Sequence, residues 1–232
     1  MHNITIKESW MKNEIYEYIA DSVNCTVGQL KSGTTCFVKN PWKECIKILS
    51  IHDTDIISLS EDKYALGKQL LTGKNRDELY ESTLIFGQTL HYLPDLRVMN
   101  RLPLIEGFSY ELYEEDTLYK LCGIKGFENS LAFDADGNTN TNIALCAGKD
   151  SEIIAVAGAS AVSEKIAEVG IDVKKEWRGY GLAGLLVRNL TVELLERNII
   201  PFYSASVTNL ASQAVAIRSG YMPLWTDSYG VR

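Results

Sequence analysis

The pattern of apolar and polar positions is clearest in the second half of the chain. Apolar runs separated by short polar turns predict three strands in an antiparallel meander, over residues 142–147, 153–162 and 165–173. A further strand is predicted over residues 108–113, followed by a helix over 117–131 that breaks near Gly123 and Gly126. This half therefore reads as a sheet with helical connections.

The segment after the meander alternates between helix and strand. Leucines recur at helical spacing from Leu182 to Leu195, which predicts a helix that packs on the sheet and extends to Asn198. Residues 199–206 predict the next strand. A second helix is predicted over residues 210–218, with Gly220 as its C-terminal cap.

The first half mixes both kinds of element. Helices are predicted over residues 10–23 and 77–90, and strands over 35–38 and 45–60, the latter being a hairpin that turns at 52–55. Pro94 and Pro103 interrupt regular structure, which predicts a linker over residues 93–104. We therefore expect an N-terminal α/β companion domain over residues 1–104 and a second domain over 105–232.

A glycine loop before the leucine-rich helix fits two cofactor chemistries. Gly179, Gly181 and Gly184 match the G-x-G-x-x-G spacing of a dinucleotide-binding turn, whereas Arg178, Gly181 and Ala183 match R-x-x-G-x-A, a pyrophosphate loop of acyl-CoA enzymes. A dinucleotide turn follows its strand directly, but five residues rich in charge intervene here. The acidic residue expected about twenty positions later is also missing. These flanks favour coenzyme A.

Two segments together carry a family resemblance: IDVKKEWRGYGLA at residues 171–183 and NLASQAVAIRSGY at 209–221. With the strand and helix order around them, residues 108–232 resemble the GNAT superfamily of acyl-CoA-dependent N-acyltransferases, in particular bacterial members with an extra N-terminal half-domain. The resemblance implies a GNAT-like α+β fold, a mixed and mostly antiparallel sheet flanked by helices. It also implies acetyl-CoA as co-substrate, with no metal.

The resemblance assigns binding roles to particular positions. Main-chain N–H groups at the start of the helix would bind the CoA pyrophosphate, where the helix dipole favours negative charge. The strand before the loop would pair its backbone with the pantetheine amides. The cofactor-binding residues expected on this basis are Ile171, Val173, Arg178, Gly179, Tyr180, Gly181, Leu182, Ala183, Asn209 and Ser212. For Asn209, a role as helix N-cap is an equal alternative.

The catalytic residues are less well marked. Glu168, on the strand that leads to the loop, is the candidate general base, with a solvent-facing strand glutamate as the alternative. Many family members place a tyrosine acid seven residues after the asparagine, and this chain has Ala216 there. Tyr221 is interpreted as a core residue, and Tyr203 is a second tyrosine of open role. We therefore expect turnover without a dedicated acid.

Composition limits the partners. The net charge of −7 disfavours nucleic acid, and the five scattered cysteines without a C-x-x-C pair disfavour a zinc site. No apolar run is long enough for a membrane span, and the N-terminal residues lack the pattern of a signal peptide, so a cytoplasmic location is expected. An acidic run between Glu106 and Asp116 fits a cationic substrate or a solvated loop.

Three functions follow in order of preference. The first is an N-acetyltransferase that moves an acetyl group from acetyl-CoA to a primary amine of a small molecule or peptide. The second is a non-catalytic acyl-CoA-binding or regulatory module, which the alanine at position 216 would suit. A dinucleotide-dependent enzyme is the third.

Overall fold

The structure, a computed structural model, describes residues 6–228 and 230–231. The chain forms two compact units. Of the described residues, the N-terminal unit contains Ser9–His91, Ala205–Leu210, 223–228 and 230–231, and the C-terminal unit contains 6–8, Tyr92–Ser204 and Ala211–Met222. These limits differ from a single division at residue 104, because two late segments pack with the N-terminal half.

The elements follow one another along the chain as a mixture of helices and strands. In chain order they are α1 (Glu8–Val23), α2 (Val27–Leu30), β1 (Thr35–Asn40), β2 (Ile46–Ile51), β3 (Thr54–Ser60), α3 (Glu61–Leu71), α4 (Arg76–Tyr80), β4 (Ile85–Phe86), β5 (Thr89–Pro94), β6 (Ser109–Glu114), α5 (Glu115–Leu118), α6 (Glu128–Leu131), β7 (Thr141–Lys149), β8 (Glu152–Ala161), β9 (Ile166–Val173), α7 (Leu182–Glu196), β10 (Ile200–Ser206), α8 (Leu210–Arg218), β11 (Tyr221–Asp227) and β12 (Gly230–Val231).

The N-terminal unit is built on β1, β3, β2 and the end of β11, in that order. β1 runs parallel to β3, β2 runs antiparallel to β3, and Trp225 of β11 lies opposite Ile51 of β2. The predicted hairpin is confirmed, and His52 enters its turn with a φ of 49°. Apolar side chains of β2 and β3 are fully buried and form the core of this unit.

A polar cluster lies inside the same unit. The carboxylate of Asp227 accepts a hydrogen bond from Nε2 of His91 at 3.0 Å, and Nζ of Lys47 lies 2.7 Å from its other oxygen. The His91 ring stacks on Trp225 with centroids 4.4 Å apart. Burial alone would raise the pKa of Asp227, but His91 and Lys47 outweigh burial and leave this pKa below its ordinary value.

The helix predicted over residues 77–90 is wrong. α4 ends at Tyr80, and the rest of that segment forms β4 and the start of β5. Gly87 has a φ of 71°, which ends regular structure, and Phe86 pairs with Gly230 of β12. A pairing with the far end of the chain therefore overrides the local helical pattern.

The C-terminal unit contains the predicted meander, which the structure confirms. β6, β7, β8 and β9 pair antiparallel in sequence order, and β10 lies parallel beside β9. α7 packs against β7, β8 and β9 through its leucine-rich face. The fold is thus a mixed, mostly antiparallel sheet flanked by helices.

The segment between β6 and β7 is more broken than expected. In place of a helix over residues 117–131 there are α5, a 3₁₀ turn at Tyr119–Leu121 and α6. Gly123 and Gly126 have φ values of 82° and 89°, which an α-helix cannot accommodate. Among the described residues, none of the helices has the length and apolar character needed to cross a membrane.

Candidate functional site

The site is organised by two strands of the C-terminal unit that separate. β9 and β10 pair in parallel from Ile166 opposite Ile200 to Val169 opposite Tyr203. Within the described residues, positions 170–173 of β9 have no counterpart in the β10 register, although they remain paired with β8. The sheet therefore opens on one side of β9 just before the glycine loop.

The direction of the backbone groups on this open edge follows from the pairing with β8. The N–H of Lys174 donates to the carbonyl of Ile154, so residue 174 faces β8. Because residues alternate in an antiparallel ladder, Ile171 and Val173 present their N–H and C=O groups to the open side. The structure thus places both predicted pantetheine-binding residues where an extended amide chain can pair with them.

Arg178 closes the upper end of this edge. Its Nε donates to the carbonyl of Val173 at 3.1 Å, so the side chain folds back onto the strand that it follows. This contact leaves the N–H of Val173 and the backbone groups of Ile171 facing outward. The arginine therefore shapes the loop as well as contributing positive charge near it.

The glycine loop leads directly into α7. Gly179 and Gly181 have φ values of 90° and 83°, a region in which residues with a Cβ are strained. Gly181 is the N-cap and has no side chain with which to cap, so the first N–H groups of α7, from Leu182 and Ala183, keep their capacity to bind an anion. A Cβ at Gly179 would meet nothing within 4 Å, so the backbone conformation is what requires glycine there.

An aromatic cluster holds the loop in shape. Phe108, Trp177 and Tyr180 lie with ring centroids 5.7 to 6.1 Å apart, and Nζ of Lys149 lies 5.8 Å from the centroid of Phe108. Tyr180 remains about half exposed at 55%. Tyr180 therefore has a packing role in the loop, and its role in cofactor binding stays a prediction.

One face of β9 is covered closely by α6. The carboxylate of Asp172 accepts hydrogen bonds from the backbone N–H of Asn129 and of Ser130, and from both of their side chains, at 2.7 to 2.9 Å. A Cβ at Gly170 would lie 2.0 Å from the carbonyl oxygen of Asn129, and one at Gly158 would lie 1.7 Å from that of Ser130. The two glycines let the α6 backbone rest on the sheet, and Asp172 fixes it there.

Glu168 lies on the same face of β9, two positions before Gly170. Its side chain is half-buried, and its carboxylate accepts a hydrogen bond from the hydroxyl of Ser204 on β10. The predicted base is therefore held beside the point where the two strands separate. Its assignment as a base stays a prediction.

The opposite face carries a pair of hydroxyl groups. Tyr203 is buried, and its hydroxyl lies 2.7 Å from Oγ of Ser212 on α8. Its ring lies between those of Tyr92 and Tyr221, at 6.5 and 6.0 Å. Burial raises the pKa of Tyr203, and although the hydrogen bond with Ser212 opposes this, the pKa stays above its ordinary value.

The other positions near α8 divide into core and surface. Tyr221 is confirmed as a core residue, because it is buried and its hydroxyl lies 2.6 Å from Oγ1 of Thr191. Ala216 is fully buried. Asn209 lies directly before α8, is exposed, and donates its backbone N–H to the carbonyl of Ser206.

The acidic run near β6 is partly neutralised by contacts that the sequence does not reveal. The carboxylate of Glu114 pairs with Arg197, which follows α7, and Glu111 accepts a hydrogen bond from the hydroxyl of Tyr113 at 2.7 Å. One tertiary ion pair thus offsets the charge of Glu114, whereas Glu111 is engaged by a neighbour on its own strand.

The protein has an α+β fold, and its candidate site consists of the opened edge of β9 and the start of α7, which no side chain caps. A family model described as GNAT acetyltransferase matches residues 104–224, and the chain belongs to this family. Acyl transfer from coenzyme A is the reaction of that family.

Solved structures share the fold at low sequence identity. A GCN5-related N-acetyltransferase-like protein from Streptococcus suis is 17% identical, with 79% of this chain and 82% of that one covered and a TM-score of 0.50. A GNAT-family acetyltransferase from Colwellia psychrerythraea is 12% identical, with 97% and 74% covered and a TM-score of 0.50. This broad coverage is consistent with an extra N-terminal half in relatives of the same fold.

A GNAT-family protein from Novosphingobium aromaticivorans is 18% identical, with a TM-score of 0.47. The match covers 61% of this chain and 63% of that one, which is just under two thirds of its length. No curated protein matches the sequence.

Several residues of the site cannot be identified from sequence motifs. Ser204 lies beside Glu168 only because β10 pairs with β9 in parallel, and Asp172 meets α6 only because two glycines admit that helix. Strand alternation in the sequence shows that Glu168 and Asp172 lie on the same face of β9. Their partners on neighbouring elements can be identified only when the pairing of the strands is known.

Proposed function

We propose that this protein is an N-acetyltransferase that moves an acetyl group from acetyl-CoA directly to a primary amine of a small molecule or peptide. The proposal includes a cytoplasmic location and a companion role for residues 1–104. The observation that carries it is the open edge of β9 at Ile171 and Val173, which leads through Gly179 and Gly181 into the uncapped start of α7. This arrangement offers backbone partners to a pantetheine arm and to a pyrophosphate in the right order along the chain.

Acetyl-CoA would supply an activated thioester to this site. The chain's own residues would then bind and orient it through backbone N–H groups, which suit a carbonyl oxygen or an anion equally. Arg178 adds positive charge at the end of the strand. Asn209 and Ser212, at the start of α8, remain the proposed side-chain contacts to the CoA arm.

Glu168 is the proposed general base. An amine with an ordinary pKa of about 10.4 is protonated at neutral pH, and removing its proton costs roughly 4 to 5 kcal/mol. Glu168 is oriented by Ser204 at the point where the strands separate, which suits removal of that proton before the amine attacks. Holding the amine and the thioester together contributes more, about 7 to 11 kcal/mol in well-oriented systems.

The acceptor is proposed to approach from the α6 side of β9. That face carries the carboxylate of Glu168, whereas the carboxylate of Asp172 is already engaged by four hydrogen bonds. A protonated amine is attracted to the remaining carboxylate before it is deprotonated. Among the acidic residues near β6, Glu114 would add little to this attraction, because the positive charge of Arg197 offsets its own.

Thiol release from acetyl-CoA across a panel of amines tests the proposal, with calorimetric titration of CoA as a separate measurement of binding. We expect CoA binding together with release that depends on a particular class of amine. The test variant is Gly181→Ala, which should weaken CoA binding by tenfold or more and lower thiol release with it, because the loop conformation is needed for the donor. Release by wild type that is unchanged in this variant would contradict the proposed site.

The second candidate is a non-catalytic acyl-CoA-binding module. Its support is Ala216, a buried residue without a proton to donate at the position where the family resemblance implies an acid. The same titration separates the two functions, because a module binds CoA but releases no thiol with any amine in the panel.

A further inference from the structure

The buried hydroxyl of Tyr203 occupies a particular place in the opened sheet. Tyr203 is the last β10 residue in the register with β9, and its neighbour Ser204 points to the other face, toward Glu168. The two adjacent residues therefore present a tyrosine hydroxyl on the α8 face and a serine that holds a carboxylate on the α6 face. Both lie at the point where the strands begin to separate.

The open edge leads to this point from the glycine loop. From Val173 back to Val169 the strand spans about 13 Å, at roughly 3.3 Å per residue. An arm held by its diphosphate at the start of α7 and paired along Ile171 therefore has its free end near Val169 and Tyr203. That free end is where a thioester sulfur lies in an acyl-CoA.

The neighbouring helix α8 adds a second hydroxyl, that of Ser212. Ser212 and Ala216 are one turn apart on α8, and a helical side chain leans toward the N-terminal turn. A long side chain at position 216 would thus reach the turn of Ser212. Ala216 leaves this place to the hydroxyl of Tyr203, which arrives from the strand and lies 2.7 Å from Oγ of Ser212.

We propose that Tyr203 is the catalytic proton donor to the departing sulfur and that Ser212 is the positioning residue that orients and reprotonates it. This inference rests on the proposed function. In the step, the amine lone pair forms the C–N bond while the C–S electron pair leaves with the sulfur. The sulfur takes the Tyr203 proton, and the amine nitrogen gives up one proton to Glu168. Glu168 then releases that proton to solvent while solvent returns one to Tyr203 through Ser212, so both residues regain their starting state and the protons balance.

The surroundings of the tyrosine suit this role. Its raised pKa keeps the hydroxyl protonated across the neutral range, so it is available as a donor in every turnover. The contacts of its ring with Tyr92 and Tyr221 fix its position without using the hydroxyl. Ala216 alone leads to the expectation of turnover without a dedicated acid. In this proposal the proton comes instead from Tyr203, a residue of β10.

The test uses the thiol of bound CoA, which requires no acceptor. A hydroxyl that donates to the sulfur stabilises its thiolate and so lowers the thiol pKa. Ultraviolet difference titration of the full chain with and without saturating CoA reads this pKa for wild type, Tyr203→Phe and Ser212→Ala. The matched control is Tyr92→Phe, which removes a hydroxyl from the same aromatic group.

We expect the bound thiol to titrate about one pH unit higher in Tyr203→Phe than in wild type, a tenfold change, with a smaller rise in Ser212→Ala and none in Tyr92→Phe. With a productive amine, Tyr203→Phe should also lower kcat by about 100-fold while CoA affinity stays within twofold. Equal thiol pKa values in wild type and Tyr203→Phe, with CoA bound to both, would overturn this inference alone. Failure of wild type to bind CoA would overturn the proposed function and this inference together.

Discussion

The hydroxyl of Ser204 on β10 donates a hydrogen bond to the carboxylate of Glu168 on β9, close to the point where the pairing of the two strands ends. The two residues sit on different strands, and only a parallel register brings them together. The bond holds one carboxylate oxygen in place and leaves the other for a substrate. It therefore orients the group that we propose as the base.

Replacing Glu168 by Gln tests this role. The amide keeps the shape of the side chain but cannot accept a proton, so kcat should fall by about 10² to 10³-fold while CoA affinity is unchanged. Steady-state rates and calorimetric CoA titration give the two quantities. The control is Glu164→Gln in the β8–β9 turn, an exposed glutamate that should have no effect. Equal losses in both variants would remove Glu168 from the mechanism.

Alanine substitutions at two glycines of positive φ should separate an effect on stability from an effect on CoA binding. Gly181→Ala and Gly73→Ala place a Cβ at φ values of 83° and 80°, so each should lower the free energy of unfolding by about 1 kcal/mol. Only Gly181 lies at the start of α7, so only that change should weaken CoA binding, by tenfold or more. Urea unfolding and CoA titration measure both effects. Equal CoA affinity in the two variants would argue against an anion site at this helix.

Because α6 lies directly on the sheet, any side chain larger than glycine at position 170 should destabilise the fold. In Gly170→Ala the new Cβ would lie 2.0 Å from a backbone oxygen, so α6 must move, at a cost of about 3 kcal/mol. Gly28→Ala is the control, since its Cβ would meet nothing closer than 3.7 Å and the helix gains from alanine. Urea midpoints compare the two variants. Similar stability would show that α6 does not rest on β9 in solution.

The buried cluster at Asp227 predicts sensitivity to acid. Since the pKa of this carboxyl is lowered in the folded state, its stabilisation is present above the unfolded pKa of about 3.9 and is lost as the pH falls through the folded pKa. Asp227→Asn should cost about 3 kcal/mol near neutral pH, because Lys47 and His91 lose their partner. It should also flatten the loss of stability below about pH 4.

Unfolding free energies measured at several pH values check this slope. Asp53→Asn, at an exposed position in the β2–β3 turn, serves as the control and should keep the wild-type slope. A wild-type slope in Asp227→Asn as well would assign the acid sensitivity to other carboxyl groups.

Elements with strong local patterns could be predicted from the sequence. The meander and α7 are clear because alternation and leucine spacing persist over many residues, and the hairpin of β2 and β3 is clear because a polar turn divides two apolar runs. The failure at residues 77–90 has the opposite cause. There, Phe86 pairs with Gly230, and such a distant contact leaves no trace in the local pattern.

The candidate site divides in the same way. The residues that act through the backbone, such as Gly181, follow from the motif, because the motif records what the main chain must do. The side-chain partners do not: the motif predicts that Ser212 contacts the cofactor, but its bond to Tyr203 depends on how α8 lies on β10. Only the packed structure reveals that pairing.

The outward-facing amides of Ile171 and Val173 have a consequence for how this chain diverges from its relatives. Recognition by main-chain groups does not depend on side-chain identity, so substitutions along this strand leave the proposed partners of the donor in place as long as the strand persists. Drift in sequence is therefore weakly constrained there. A fold shared with proteins at 12% and 17% identity is what such tolerance permits.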